Sequence, residues 1–480
     1  WLTAFAYGTS YFSAVVFVGY AGQFGWKYGI AATWAGIGNA LLGSLLAWVV
    51  LGRRTRVMTQ HLDSATMPQF FENRFQSRSL KLAASAIIFI FLIPYTASLY
   101  NGLSRLFGMA FHVDYAVCVI AMAVLTGVYV IAGGYMATAI NDFIQGIIMI
   151  VGIIAVVGAV LKSQGGFLAA LDGLARVSDP AVSDTPGVFA SFFGPDPVGL
   201  LGVVLLTSLG TWGLPQMVQK FYAIRSEKAI DKGTIISTVF AAIVAGGCYF
   251  LGGFGRLFSD QVDVAANGYD SIVPTMLEGL STVLIAVVVI LVLSASMSTL
   301  SSLVLASSST LTLDFIKDTI VKDMDEKRQI LTMRLLIVVF IAISVVLAIV
   351  QYRSNVTFIA QLMGVSWGAL AGAFLAPFLY GLYWKKTTRG ACWVSFLFST
   401  VVMLANIFFG KYFPTLLQSP INAGAFCMLA GLIIVPVVSL VTPRLPQGQI
   451  DRIFACYDRK VVVSVKDSIG DHTNPKEETP

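Results

Sequence analysis

Residues 282–312 read TVLIAVVVILVLSASMSTLSSLVLASSSTLT. The first dozen are almost wholly apolar, and no residue in the stretch carries a charge. About 20 apolar residues cross the roughly 30 Å hydrocarbon core of a bilayer as one α-helix. A helix also satisfies its own backbone where lipid offers no hydrogen bonds. The second half departs from that plan. From 294 to 312, eleven of nineteen residues are Ser or Thr. At 100° per residue, Ala295, Ser298, Thr299 and Ser302 share an arc of roughly 100°, with Ser301 on its flank. A stripe of oxygen atoms without a carboxylate suits a weakly held monovalent cation, whereas Ca²⁺ and Mg²⁺ recruit carboxylates. The plainer reading is that these hydroxyls bond back to their own helix.

Working outward, the same apolar texture fills the chain. Of 480 residues, 57% are hydrophobic and 12% charged, against about 25% charged in a soluble domain. Apolar runs between Gly, Pro and charge clusters predict twelve spans, near 1–23, 28–52, 79–110, 114–133, 137–162, 193–222, 229–258, 276–312, 328–351, 356–384, 387–410 and 417–442. They form a membrane domain over 1–442, followed by a polar, partly disordered tail over 443–480. The chain begins at Trp1 inside an apolar segment, without an initiator Met or a signal-peptide pattern. A further N-terminal segment is therefore expected upstream.

Charge orients the spans, because Lys and Arg collect on the cytoplasmic side. Alternate connections at 53–81, 220–232, 317–334 and 385–389, together with the tail, hold 24 of the 31 Lys and Arg. The loop at 259–275 on the opposite side has Asp260, Asp263 and Asp270 and no basic residue. This predicts a multi-pass protein of the plasma (inner) membrane with a cytoplasmic tail. The net charge of +6 thus reports orientation in the bilayer and not a nucleic-acid partner. Five cysteines without a CxxC pair and three scattered histidines match no metal spacing. No nucleophile–base pair or phosphate loop suggests an enzyme.

Other breaks in the apolar pattern point to function. In the first span, Phe5-Ala6-Tyr7-Gly8-Thr9-Ser10-Tyr11-Phe12-Ser13 puts Gly and hydroxyls at mid-membrane. An unwound stretch there would free carbonyls, which is tolerated where they line a cavity or ion site; close packing through small residues is the other reading. In the sixth, Gly210-Thr211-Trp212-Gly213-Leu214-Pro215 invites a second broken helix, since Pro cannot donate to the i−4 carbonyl. Asp142, between Asn141 and Gln145 in the fifth span, is an ionisable group that costs at least about 2.5–3.5 kcal/mol in a membrane. It is either functional or a helix cap at the interface.

Four segments carry a resemblance. They are Gly133-Gly134-Tyr135-Met136-Ala137 with Asn141-Asp142-Phe143-Ile144-Gln145, the serine run ending Leu313-Asp314, residues 66–75 (TMPQFFENRF), and residues 384–390 (WKKTTRG). Together the chain resembles the sodium:solute symporter family, which includes proline, sialic acid, sugar, iodide and monocarboxylate cotransporters. The resemblance implies an all-α, LeuT-type five-plus-five inverted-repeat bundle, lacking here one N-terminal helix. It implies sodium-coupled symport of a small organic solute, an amino acid such as proline, an organic acid or a sugar, into the cell by alternating access. By position it assigns one sodium ion to the carbonyls of Ala6, Thr9 and Ala295 and the hydroxyls of Ser298 and Thr299. A second sodium, carried by some members, would fall on Asp142, Ser298, Ser301 and Ser302.

Solute is expected near mid-membrane against Ser10, Ser13, Tyr95, Thr211, Trp212 and Gln361, where polar groups of the two broken helices converge. The segment Pro94-Tyr95-Thr96-Ala97-Ser98 looks closest to the proline branch. That branch's aromatic pair in span six, however, aligns with Thr207 and Thr211, and its acidic residue in span one with Gly8. A membrane sensor or a channel on the same fold is the reading from another class. The short tail cannot hold a kinase domain.

Overall fold

The computed structural model describes residues 7–9, 12–222, 224, 227–317, 320, 324–354 and 359–457, without the side chains of 132–142, 227, 228, 266 and 354. Among these residues there is no β-strand, and Asp179 and Ser183 form an isolated bridge. The helices are α1 (Val15–His61), α2 (Met67–Phe75), α3 (Arg78–Phe111), α4 (Tyr115–Ser163), α5 (Phe167–Arg176), α6 (Pro197–Leu209), α7 (Pro215–Tyr222), α8 (Glu227–Gly252), α9 (Thr282–Thr310), α10 (Glu326–Ser354), α11 (Ile359–Tyr383), α12 (Arg389–Phe409), α13 (Pro420–Val441) and α14 (Gln447–Phe454).

Starts follow capping chemistry. Asp114 accepts from the N–H groups of Ala116 and Val117, Asp196 from Gly199, and Thr388 from Ala391, each satisfying donors that a helix N-terminus leaves free.

Among the described residues nine helices are long and apolar enough to cross a membrane, or ten if α6 and α7 form one bent span. The expected twelve are not reached, for two reasons. The spans predicted at 114–133 and 137–162 run on as the single 49-residue α4, because Gly133-Gly134 does not break a helix embedded in apolar sequence. The spans predicted at 1–23 and 28–52 adjoin in the helical stretch α1 and are counted there as one, although the chain turns back at Gly29, and part of the first lies outside the described residues.

Within α1 the chain nevertheless reverses. Gly29 takes φ 63° and ψ −142°, a conformation open to glycine. Contacts with α8 follow in order: Cys248 Sγ lies 3.5 Å from the Val16 carbonyl, and Gly25 is pressed onto Gly252. The order then runs backwards, with Gly36 on Gly246 and Trp48 on Gly233. Residues 15–28 thus run along α8 toward its end, and 33–61 return beside it.

Burial sorts the bundle. Along α11, 94% of the span is buried, against 28% for α10, so α11 is central and α10 peripheral. Side chains such as Val283, Leu331, Val346 and Leu440 are exposed and form the apolar belt a bilayer would cover.

The face with the basic connections is tightly tied. Asp314, just beyond α9 and fully buried, accepts from Thr66 Oγ1 (2.6 Å) and Gln69 Nε2 (2.7 Å) at the start of α2. Arg74 on α2 is also fully buried, and donates to the carbonyls of Gly381 and Trp384 at the end of α11. Residues 447–457, expected within a partly disordered tail, instead form α14 and a following turn docked on this face. Ile450, Ile453 and Phe454 have the i, i+3, i+4 spacing of an amphipathic helix, and all three are buried. The Arg54 guanidinium lies between the rings of Tyr383 (4.1 Å) and Tyr457 (4.6 Å), and Arg74 covers Phe454 at 4.9 Å.

Candidate functional site

The two expected helix breaks are visible. Residues 7–9 are helical, Phe12 and Ser13 are not, and helix resumes at Ala14. Resuming a helix leaves unpaired N–H groups. One of them, on Ala14, donates to Ser296 Oγ of α9 at 2.9 Å, which fastens the break to the serine-rich helix. The second break is a short 3₁₀ turn, Gly210–Trp212, followed by Gly213 and Leu214, and α6 and α7 meet there at 40°. It packs on α11: a Cβ on Gly210 would sit 3.2 Å from Trp367, and one on Gly213 under 3 Å from Ala371 and Leu375.

On α9 the hydroxyl stripe divides. Ser301 and Ser302 Oγ both donate to the Ser298 carbonyl (2.9 and 3.0 Å), and Thr299 Oγ1 to the Ala295 carbonyl (3.1 Å). Those are the back-bonds expected of hydroxyls in an apolar bundle. Ser298 Oγ is the exception in this group: it is buried with no hydrogen-bond partner among the described residues. A buried hydroxyl left unpaired costs about 1–3 kcal/mol, so the site has spare capacity for an oxygen-seeking ligand. Thr9 is fully buried. Ala6 and Ser10, and the side chain of Asp142, lie outside the described residues.

The residues expected to meet solute separate. Ser13 and Tyr95 come together, with Ser13 flanking the Tyr95 hydroxyl. Thr211 Oγ1 donates to the carbonyls of Ser208 (2.8 Å) and Gly43 (3.3 Å), and Trp212 Nε1 to that of Leu42 (3.0 Å). The Leu42 and Gly43 carbonyls lie in the π-helical stretch Asn39–Leu45, whose wide turns leave acceptors open to side chains. Gln361 is half-buried at the start of α11, six residues from Trp367 and so about 9 Å along the axis.

What gathers around Tyr95 is a set that spacing did not single out. The Trp367 ring meets Tyr95 edge-on with centroids 5.9 Å apart. Tyr20 and Tyr249 lie within electrostatic reach of Tyr95, and Asn39 and Thr207 lie beside the Tyr249 hydroxyl. Ser13 and Trp367 lie within hydrogen-bonding range of the Tyr95 hydroxyl, and Asn39 and Thr207 of the Tyr249 hydroxyl, without well-aligned bonds, while Tyr20 OH is buried with no partner among the described residues. Native interiors pair nearly all such atoms. A loosely paired set of polar groups around one tyrosine, with the Tyr20 hydroxyl left over, therefore marks a place that a polar guest can complete. The available signal was the residue type alone, since Tyr and Trp bury a ring while keeping a polar handle.

Gly8 supplies a further constraint. A Cβ there would meet the Phe240 ring at 2.9 Å, so an acidic side chain at this position has no room.

Comparison with known proteins agrees with this geometry. The profile described as the sodium:solute symporter family matches residues 1–399. A sodium/proline symporter of Staphylococcus aureus is 28% identical over 454 residues, covering 93% of this chain and 85% of that protein. The corresponding protein of S. aureus strain JH9 is 27% identical over 456 residues, with the same coverage. Among solved structures, a Na⁺-coupled sialic acid symporter in a substrate-bound outward-open state superposes with a TM-score of 0.68 at 18% identity, covering 92% of this chain and 91% of that one. Mhp1, a nucleobase-cation-symport-1 family transporter, superposes with a TM-score of 0.52 at 13% identity, covering 94% and 95%. Those two likenesses show a shared all-helical transporter fold. The profile spans most of the 480 residues, and the chain therefore belongs to the sodium:solute symporter family: it is a sodium-coupled solute symporter and not an enzyme.

Proposed function

We propose that this symporter takes up a small amino acid of proline's size and charge, using sodium that enters from the face poor in Lys and Arg. The observation that carries the solute site is the ring of buried, poorly paired polar groups around Tyr95, with the Tyr20 hydroxyl free among the described residues. It offers hydroxyl and indole groups and, among its described members, no charged side chain. A solute bringing its own opposite charges would be held there by hydrogen bonds alone. The proline reading also rests on the two S. aureus relatives. Organic acid or sugar is the second reading, favoured by Gly8, whose surroundings leave no space for a carboxylate partner to a substrate amine.

Sodium is assigned to Ser298 and Thr299 with carbonyls of Ala6, Thr9 and Ala295. Ser298 Oγ has the free lone pairs, and the Ala295 carbonyl already faces Thr299 Oγ1. Hydroxyl and carbonyl oxygens without a carboxylate match a monovalent ion better than Ca²⁺ or Mg²⁺. Binding there would join the broken first helix to α9, next to the existing Ala14–Ser296 bond, and so couple ion occupancy to the geometry of both. The two broken helices, at residues 12–13 and 210–214, support an inverted repeat, and the charge distribution puts the basic face on the cytoplasmic side.

A second sodium at Asp142, Ser298, Ser301 and Ser302 has a register argument. A Cβ on Gly152 of α4 would touch Leu291 of α9. If the two helices cross the membrane in opposite directions, as the charge alternation requires, seven residues onward bring Gln145 level with Ser298. The Gln145 Oε1 is buried too, with no partner among the described residues. Paired flux measurements should then give two sodium ions per solute in the wild type and one in Asp142→Asn. A wild-type ratio of one would retire the second ion.

Purified protein in liposomes tests the whole reading. An inward sodium gradient should drive labelled L-proline uptake, and preloaded unlabelled proline should accelerate exchange, as a carrier does and a channel does not. Sodium-driven transport of a carboxylate or sugar but not proline would overturn the substrate and leave the symport.

A further inference from the structure

A cavity of about 440 Å³ lies on the face opposite the basic connections, apart from the Tyr95 cluster. That volume falls within the range of small-molecule sites. Its walls include Phe24, Trp26, Lys27, Tyr28, Asp196 and Arg256. Asp179 also lines it and is paired with Arg256 at 2.8 Å. The Arg256 guanidinium is held rigidly, 3.9 Å from the Phe189 ring centroid and with Nε donating to the Trp26 carbonyl at 2.6 Å. That pair is satisfied within itself.

Lys27 and Asp196 are different. Lys27 Nζ lies over the Tyr269 ring at 5.6 Å, and among the described residues no carboxylate oxygen stands within 4 Å of it. Asp196 uses Oδ1 to cap α6 at Gly199 N–H, 2.9 Å away. The cavity therefore offers one cation and one anion that do not neutralise each other directly, set among aromatic rings.

The floor of the cavity leads to the first site. Phe24 lines the cavity and packs its ring on Tyr20 (4.8 Å) and Tyr249 (6.4 Å). Those two tyrosines belong to the polar set around Tyr95. One layer of aromatic rings thus separates the two places.

We infer that this cavity is a second, outer binding site for a zwitterionic solute, whose carboxylate meets Lys27 and whose cationic amine meets Asp196 while its carbon skeleton lies on Phe24, Trp26 and Tyr28. The inference rests on the amino-acid reading above and specifies it: a plain anion or a plain sugar would leave one of the two charges unanswered in a partly desolvated site. The outer site would hold the solute above the Phe24–Tyr20 layer until that layer opens.

The test uses purified full-length Val182→Cys protein in lipid nanodiscs. Val182 lines the cavity and is exposed, whereas the five native cysteines are buried, so maleimide reports on position 182. At about twice its Kd, a ligand that shields the thiol slows labelling about threefold. L-Proline and glycine betaine should slow labelling in this way, and acetate, choline and glucose should not. Lys27→Met or Asp196→Asn should abolish the protection, and Lys27→Arg should keep it, which separates loss of charge from loss of fold. Equal protection by acetate, protection that survives Lys27→Met, or no protection by either zwitterion would overturn the outer site. Sodium-driven uptake by the same Val182→Cys protein is read separately. Lost protection with intact proline uptake sinks the outer site alone, whereas absent proline uptake sinks the substrate reading.

Discussion

Ser296 and Ser298 are two residues apart on one helix and buried to the same degree, yet opposite consequences follow from removing their hydroxyls. Ser296 Oγ accepts the Ala14 N–H at 2.9 Å. Ser296→Ala leaves that buried donor unpaired, which costs about 1–3 kcal/mol. Ser298 Oγ has no partner among the described residues. Ser298→Ala therefore removes an unpaid desolvation cost, and stability without sodium should stay level or rise by up to about 1 kcal/mol. Sodium should respond the other way. A hydrogen-bonding oxygen facing a full charge is worth about 1.5–3 kcal/mol, so its loss should raise the sodium concentration for half-maximal uptake about 10- to 150-fold. Ser296→Ala should leave that concentration within about threefold of wild type. The assays are thermal unfolding of purified protein in sodium-free buffer and uptake in liposomes across a sodium series. If Ser298→Ala unfolds as easily as Ser296→Ala while its sodium dependence is unchanged, the assignment of Ser298 to the ion is wrong.

Two further outcomes follow from packing and burial. Gly25→Ala would place a Cβ 1.8 Å from the Gly252 carbonyl oxygen; backbone cannot yield as a side chain does, so destabilisation should reach or exceed the usual overpacking cost of about 1–3 kcal/mol, read as a lowered unfolding temperature. Asp270 lies outside the spans and carries a carboxyl pushed up to about 6 by burial, against the opposing pull of Arg105 and the Ile359 N–H; Tyr115 and Tyr352 are the other titratable groups near this pair. A raised carboxyl favours the protonated fold, so this group's contribution is present in acid and fades as pH climbs from about 4 to 6, by about 3 kcal/mol in all. Asp270→Asn keeps an acceptor for Ile359 and should flatten that slope in denaturation curves at pH 4 and 7; an unaltered slope would assign the pH dependence to other groups.

Much of the fold was legible because lipid demands helices of one length and the basic residues mark alternate connections. The break at Gly210–Leu214 could be read because Pro215 cannot continue a helix and glycines flank Trp212. The run through Gly133-Gly134 misled for the converse reason: glycine weakens a helix but still permits one when the flanking sequence is apolar. In the tail, charge and Pro dominate the composition of 443–480, and Ile450, Ile453 and Phe454 form a stripe too short to announce the helix at Gln447–Phe454. At the site, the Ser298 stripe was visible at helical spacing, but which hydroxyl is free depends on neighbours that no spacing encodes. Tyr20, Asn39, Tyr249 and Trp367 converge from three separate helices. Each looks like an ordinary buried residue in its own segment, and only the fold assembles them.

The docked α14 also fixes which parts can shift independently. It touches α1 through His61, whose ring nitrogen lies 2.8 Å from the Arg452 carbonyl, and through Arg54, whose carbonyl accepts from Tyr457. It reaches α2 through Arg74 against Phe454, and the end of α11 through Lys385, 3.5 Å from Asp451. The end of α11 lies about 300 residues beyond α1 and α2 in the chain, yet one short segment bolts all three together. Any rocking motion that opens the basic face must then carry all three as one block, with the hinge falling elsewhere, or begin by unfastening the bolt.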